Sequence, residues 1–290
     1  MMRLADPQYT YDKTLDECHS GITGNNSLKK KLNSNKKNLT DAGDNYSELS
    51  RKGELYLIKA INSKKGDDPV VLNDLKKSEL MKFYDTYFVP EDKPTRAIYD
   101  YLLNSAKEKC PFCGGIGTPR NLDHFLPKSQ FPQFSIYPRN LVPSCRDCNM
   151  DGNPIGFSET AEDQIIQPYL DDDRFFLEQW IHASYSKGVY DPTPGNFTYF
   201  TKPPAHWCDI DKKRVEKHFV EFNIAQRYST KAAEHLGIAL GQLNYFIKKT
   251  GVRDDDFIRD FFKSSADAAS FPNHWQKGMY QALIDAILLP

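Results

Sequence analysis

Apolar residues recur at three- and four-residue intervals through most of this chain, the period of helices that bury one face. Asn73 is placed to cap a helix carrying Leu75, Leu80, Met81, Tyr84, Tyr87 and Phe88. A second helix is predicted from Pro94-Thr95, with Ile98, Tyr99, Leu102 and Leu103 on one face. From Asp209 the stripe returns at Val215, Phe219, Phe222 and Ile224, then at Ala232, Leu236, Leu240, Leu243 and Phe246. Asp254 to Phe262 and Pro272 to Leu289 read as two further helices, and all these stripes as core packing. Thr40 is placed to cap an earlier helix through Tyr46, Leu49, Leu55 and Leu57 towards Ile61, with Gly43 and Gly53 counting against it. Residues 1–25, with Pro7, Gly21 and Gly24-Asn25-Asn26, show no period and read as a loosely docked arm. Alternation over Phe175–Tyr185 and the aromatic, turn-rich stretch Tyr190–Thr201 predict short strands. Lys64 to Pro69 and Asp151-Gly152-Asn153-Pro154 read as turns.

The expected fold class is mainly α with a small α+β insert. An N-terminal helical region (1–106) leads to a central module (107–155), followed by a C-terminal region (156–290) that is mixed and then helical. A chain of 290 residues is long enough for a sizeable core. A formal charge of -1 gives no global pull towards nucleic acid, so any such surface is local. Ser27 to Lys37 holds Lys29, Lys30, Lys31, Lys36 and Lys37, which read either as a solvated helical face or as a phosphate-contacting patch. No apolar run is long enough to span a membrane, and the first residues lack the apolar core of a signal peptide. The expectation is therefore cytoplasmic, with no membrane partner, where clustered cysteines bind metal rather than pair as disulfides.

Four of six cysteines are clustered, as Cys110-Pro-Phe-Cys113 and Cys145-Arg-Asp-Cys148 with 31 residues between the pairs. Each pair has the spacing of a tight knuckle, and two knuckles supply the four thiolates of a tetrahedral structural zinc site. Gly114-Gly115 lets the chain turn away from the first knuckle. Cys18 and Cys208 have no second pair at metal-binding spacing and read as structural or incidental. Between the knuckles, Asp123-His124 lies in a stretch that reads as extended, and Asn149 directly follows Cys148. Asp and Asn oxygens suit Mg²⁺ or Mn²⁺ better than zinc, and a neutral histidine takes a proton from water at pH 7. This combination reads as a one-metal phosphodiester hydrolase.

Taken together, Cys-x-x-Cys, Asp-His-x-x-Pro-Lys and Asn-Leu-x-x-x-Cys-x-x-Cys-Asn resemble the HNH (ββα-metal) endonucleases that carry a zinc site. The resemblance covers roughly residues 107 to 155. It implies that His124 is the general base, that Asp123 and Asn149 hold the catalytic Mg²⁺ or Mn²⁺, and that Cys110, Cys113, Cys145 and Cys148 hold structural zinc. Asn140 corresponds to the middle Asn, which holds the loop that orients the histidine. The last position is Asn149 where many members have His, and Gly152 stands where many have a lysine. Lys128, Arg120, Arg139 and Arg146 are the candidates to contact the phosphate backbone instead. Between Lys107 and Met150 the charge balance is +3, against -1 for the whole chain.

The Asp-His-Phe-Leu-Pro-Lys form in a long helical chain is similar to nuclease subunits of Septu and retron-associated phage-defence systems. That resemblance implies DNA as substrate and an ATPase partner subunit. Two alternatives stay open: an RNA-cleaving (tRNA) toxin using the same site, and a zinc ribbon that binds protein or nucleic acid and catalyses nothing.

Overall fold

The computed structural model describes residues 1–64, 66–151, 157–186 and 195–288. The arm predicted to be loose is packed and partly helical. Met1 and Leu4 are buried, the Met2 amide donates to the Pro111 carbonyl at 3.0 Å, and the Leu4 amide donates to Pro168 at 3.0 Å. Helix α1 then runs over Tyr11–Gly21 behind a Thr10 cap. Its buried positions Tyr11, Thr14, Leu15 and Cys18 form one stripe that is too short and too polar to stand out as a period.

The next helix is a single long rod where two segments were expected. Helix α2 spans Asn26–Lys52, capped by the Asn25 side chain at one end and by Gly53 (φ 72°) at the other. Gly43 does not break it, because its missing side chain is what packing requires. A Cβ there would stand 2.8 Å from the Tyr11 ring and 3.1 Å from that of Tyr137. Thr40 lies inside this helix and caps nothing. On its lysine face, Lys36 pairs with Asp12 (2.9 Å) and Asp16 (2.6 Å), Lys31 with Glu79 (2.9 Å), and Lys37 with Asp41 (2.8 Å). Three of the five lysines between Lys29 and Lys37 are thus spent on intramolecular pairs, which favours the solvated-face reading.

Asn73 sits at the turn of a small hairpin, β1 (Val70–Leu72) with β2 (Leu75–Lys76), and has φ 46°, so it caps no helix. Helix α3 (Lys77–Lys82) begins after it and widens into a π turn over Phe83–Phe88. Helix α4 (Arg96–Ser105) follows where expected.

The central stretch contributes β3 (Asn121–His124), β4 (Leu141–Ser144) and α5 (Arg146–Asp151). The two strands pair antiparallel, with Asp123 opposite Val142 and His124 opposite Leu141. Beyond it lie α6 (Arg174–Leu177), an antiparallel pair of β5 (Ile181–Ser186) with β6 (Asn196–Thr201), and then α7 (Asp209–Glu221), α8 (Ile224–Thr250), α9 (Asp255–Asp267) and α10 (Trp275–Leu288). The start of the predicted Phe175–Tyr185 strand is helical instead, with Phe175 and Phe176 both buried. The Gly152 position and most of the predicted exit turn lie outside the described residues.

The architecture is mainly helical, with small two-stranded antiparallel sheets. One continuous set of buried side chains joins the early helices, the central stretch and the later helices. Among the described residues, no helix is long and apolar enough to cross a membrane.

Candidate metal centre and cleft

The two knuckles meet as the spacing predicted. The sulfurs of Cys110, Cys113, Cys145 and Cys148 are buried and lie within 4.8 Å of one another, with Cys113 and Cys145 at 4.0 Å. Tetrahedral zinc with Zn–S of about 2.3 Å places sulfurs about 3.8 Å apart. The cluster is thus preformed at the right size, and its four soft donors can hold a zinc ion. The first knuckle is shaped by Gly114 (φ 62°) and Gly115 (φ 83°), a left-handed pair that strains any larger residue. The Gly117 amide points at the Cys113 sulfur from 3.3 Å.

Sequence reading missed the cluster's most distant partner. Arg227 on α8 donates to the sulfur of Cys148 at 3.0 Å and of Cys145 at 3.5 Å. Burial disfavours its charge, but the sulfurs of Cys113 and Cys148 outweigh that cost and hold its pKa above the ordinary value. Its guanidinium in turn favours thiolates over thiols. Cys18 lies in the core, where burial pushes its thiol up to about 12, and Cys208 is exposed before α7. Neither belongs to a metal-binding group among the described residues.

Beside the cluster, a cleft of about 310 Å³ is lined by Asp123, His124, Asn149 and Lys128, with Phe112 and Phe222 on its apolar side. Strand β3 delivers Asp123 and His124. Helix α5, anchored by the Cys145 and Cys148 knuckle, delivers Asn149. The structure therefore brings these four predicted residues together.

His124 Nε2 lies 2.8 Å from the Ser135 carbonyl. A carbonyl only accepts, so Nε2 carries the proton and Nδ1 is left with the lone pair. Ser135 is itself tied to α3, its hydroxyl donating to the Leu80 carbonyl at 2.6 Å. Burial pushes the His124 pKa down to about 4, well below the ordinary imidazole value. The imidazole is neutral at pH 7. Burial also raises the Asp123 carboxyl to about 7, because desolvation disfavours its charge. Its oxygen and that of Asn149 are hard donors of the kind Mg²⁺ or Mn²⁺ takes, so the residues fit such an ion.

Asn140 stands outside the cleft and is fully buried. Its Oδ1 accepts from the Leu126 amide (2.8 Å) and the Tyr46 hydroxyl (3.2 Å), while Nδ2 donates to the carbonyls of Leu126 (3.0 Å) and Phe134 (3.2 Å). It fastens the loop that follows His124 and does not line the cleft. Among the predicted phosphate contacts, only Lys128 lines the cleft, ion-paired there with Asp85. Arg139 turns away, its guanidinium held by Asp6 and the Ser47 hydroxyl. Arg120 and Arg146 are exposed beside β3 and at the start of α5.

The fold and site define a mainly helical protein in which a buried four-cysteine cluster able to hold a metal abuts an Asp–His–Asn cleft. The chain is 36% identical over 295 residues to protein ea31 of Escherichia phage lambda, covering 99% of this chain and 98% of that protein. It belongs to that family. A shorter stretch of 74 residues, 24% of this chain and 28% of the relative, is 32% identical to the Septu protein PtuB of Bacillus thuringiensis. No family model matches the chain, and no solved structure matches it.

Proposed function

We propose that this protein is a metal-dependent HNH endonuclease hydrolysing phosphodiester bonds, most simply of DNA, within a phage-defence system of the Septu kind. The observation that carries the reading is the shared cleft of Asp123, His124, Asn149 and Lys128 against a four-cysteine cluster. The similarity to PtuB supports the defence context.

In this reading His124 Nδ1 takes the proton of the attacking water while Nε2 stays bonded to Ser135. Burial and the Lys128 charge oppose the imidazolium that results, and the Ser135 carbonyl and Asp85 carboxylate offset part of that cost. Asp123 and Asn149 would hold Mg²⁺ or Mn²⁺, which would supply stabilisation of charge on the phosphate. Lys128 leaves its ion pair with Asp85 to bind a non-bridging phosphate oxygen. The zinc cluster fixes the start of α5 and so the place of Asn149.

The helical regions on either side are proposed as a docking body for an ATPase partner. The exposed apolar side chains Ile238, Tyr245 and Phe246 of α8 suit such a contact. Purified protein is expected to nick supercoiled plasmid with Mg²⁺ or Mn²⁺, alone or with its partner, and to stop on chelation. Cutting tRNA but not plasmid would favour the RNA-cleaving alternative. Cutting neither, in the partner's presence, would leave the cluster as a binding module.

A further inference from the structure

Behind two residues that line the cleft, His124 and Lys128, lies the π turn over Phe83–Phe88, which is outside the central stretch. A π turn is a locally widened helix, uncommon in itself and frequent at functional sites, because the extra residue re-aims the side chains around it. Here it turns Tyr84 and Asp85 onto the two cleft residues that would handle proton and phosphate. The Tyr84 ring meets the His124 ring edge to face, with centroids 4.5 Å apart and planes at 69°. The Lys128 ammonium lies 4.7 Å from the centre of the same Tyr84 ring. The Tyr84 hydroxyl donates to the Leu122 carbonyl at 3.2 Å, which ties the ring to β3 two residues before His124. Phe88 stacks against Tyr84 at 5.7 Å and backs it from the core.

We infer that Tyr84 is a positioning residue for His124. Resting on the nuclease reading, it fixes the imidazole plane so that Nδ1 faces the cleft. The hydrogen bond to Ser135 holds the ring at one point only, which leaves rotation about that bond free. The Tyr84 ring removes that freedom, since a tilted imidazole would collide with it. The aromatic ring matters here more than the hydroxyl. Tyr84→Phe therefore keeps the function, while Tyr84→Leu loses it.

Two measurements test this. In cleavage assays Tyr84→Leu is expected to lower kcat about ten- to a hundredfold with KM within about twofold, since a poorly aimed base slows chemistry without weakening binding. Tyr84→Phe restores most of the rate. The second readout needs no activity: nuclear Overhauser contacts and line widths of the His124 ring protons in the metal-free protein at pH 7. Wild type and Tyr84→Phe show one fixed set of contacts, and Tyr84→Leu shows contacts averaged over a turning ring. A fixed, unchanged set in Tyr84→Leu overturns the inference, whatever the assays give. If wild type cuts no nucleic acid, the nuclease reading falls and the spectra still decide the role of Tyr84. Tyr84→Met, which fills the space with a flexible chain, serves if the leucine variant fails to fold.

Discussion

His124 and Asp123 are neighbours on one strand, yet burial acts on them in opposite directions. It strips the imidazole of its proton and makes the carboxyl keep one. The sign of each effect is testable. His124→Ala is expected to reduce cleavage by ~10²–10⁴-fold with zinc content and far-ultraviolet dichroism unchanged. Wild-type rates in that variant would put the base elsewhere. For Asp123, the ordinary carboxyl value of 3.8 rises to about 7 in the folded protein. Metal-free protein thus retains a proton that the unfolded chain has already released, so its stability falls as pH rises from about 4 to about 7. Urea denaturation across that range should show the slope in wild type and a flatter profile in Asp123→Asn. Added Mn²⁺ should offset the loss at the upper end, because cation and proton compete for one carboxylate. Equal slopes in both proteins would mean that the carboxyl is solvated.

At the scale of elements, the knuckles, the β3–β4 pair and α5 are held by groups from outside the central stretch. Arg227 of α8 reaches two sulfurs, and Tyr46 of α2 reaches Asn140. His218 of α7 lies 2.9 Å from the Phe112 carbonyl, and Phe222 stacks on Phe112 at 4.8 Å. Cys145→Ser is expected to release zinc and destabilise the fold, since metal binding in such a site is folding free energy. Arg227→Ala should keep the ligands but weaken zinc retention by ~10–100-fold in chelator competition, the usual cost of losing a group that orients metal ligands. Retention equal to wild type would reduce Arg227 to a packing residue. Asn140→Ala strands the amide and carbonyl of Leu126 in the core and should cost about 1–3 kcal/mol. Chemical denaturation measures it.

For the whole molecule, those cross-contacts argue against autonomy of the 107–155 segment. A piece that short buries too little apolar surface to fold by core packing alone, and here it also loses Arg227, Tyr46 and Phe222. Expressed alone, it should hold zinc weakly and lack stable structure by dichroism and amide dispersion. A folded, zinc-saturated fragment would show that the helices serve another purpose, such as partner docking.

The sequence by itself determined the parts whose chemistry is local. Helical stripes over 96–105 and 209–288 were legible because a helix that buries one face must repeat every 3.6 residues. The four-cysteine cluster was legible because a knuckle needs its two thiolates three positions apart. The closeness of Asp123, His124 and Asn149 followed once the second knuckle anchored α5. Periodicity reports which face is buried and never what it is buried against. The single α2 rod, with Gly43 seating two tyrosine rings, therefore read as two broken pieces, and the packed N-terminal stretch read as a loose arm. Arg227 and Cys148 are 79 positions apart, Tyr46 and Asn140 are 94 apart, and Tyr84 read as one more core position in a helical stripe. Only the tertiary structure set an arginine against the sulfurs, a hydroxyl against the loop and an aromatic ring against the imidazole.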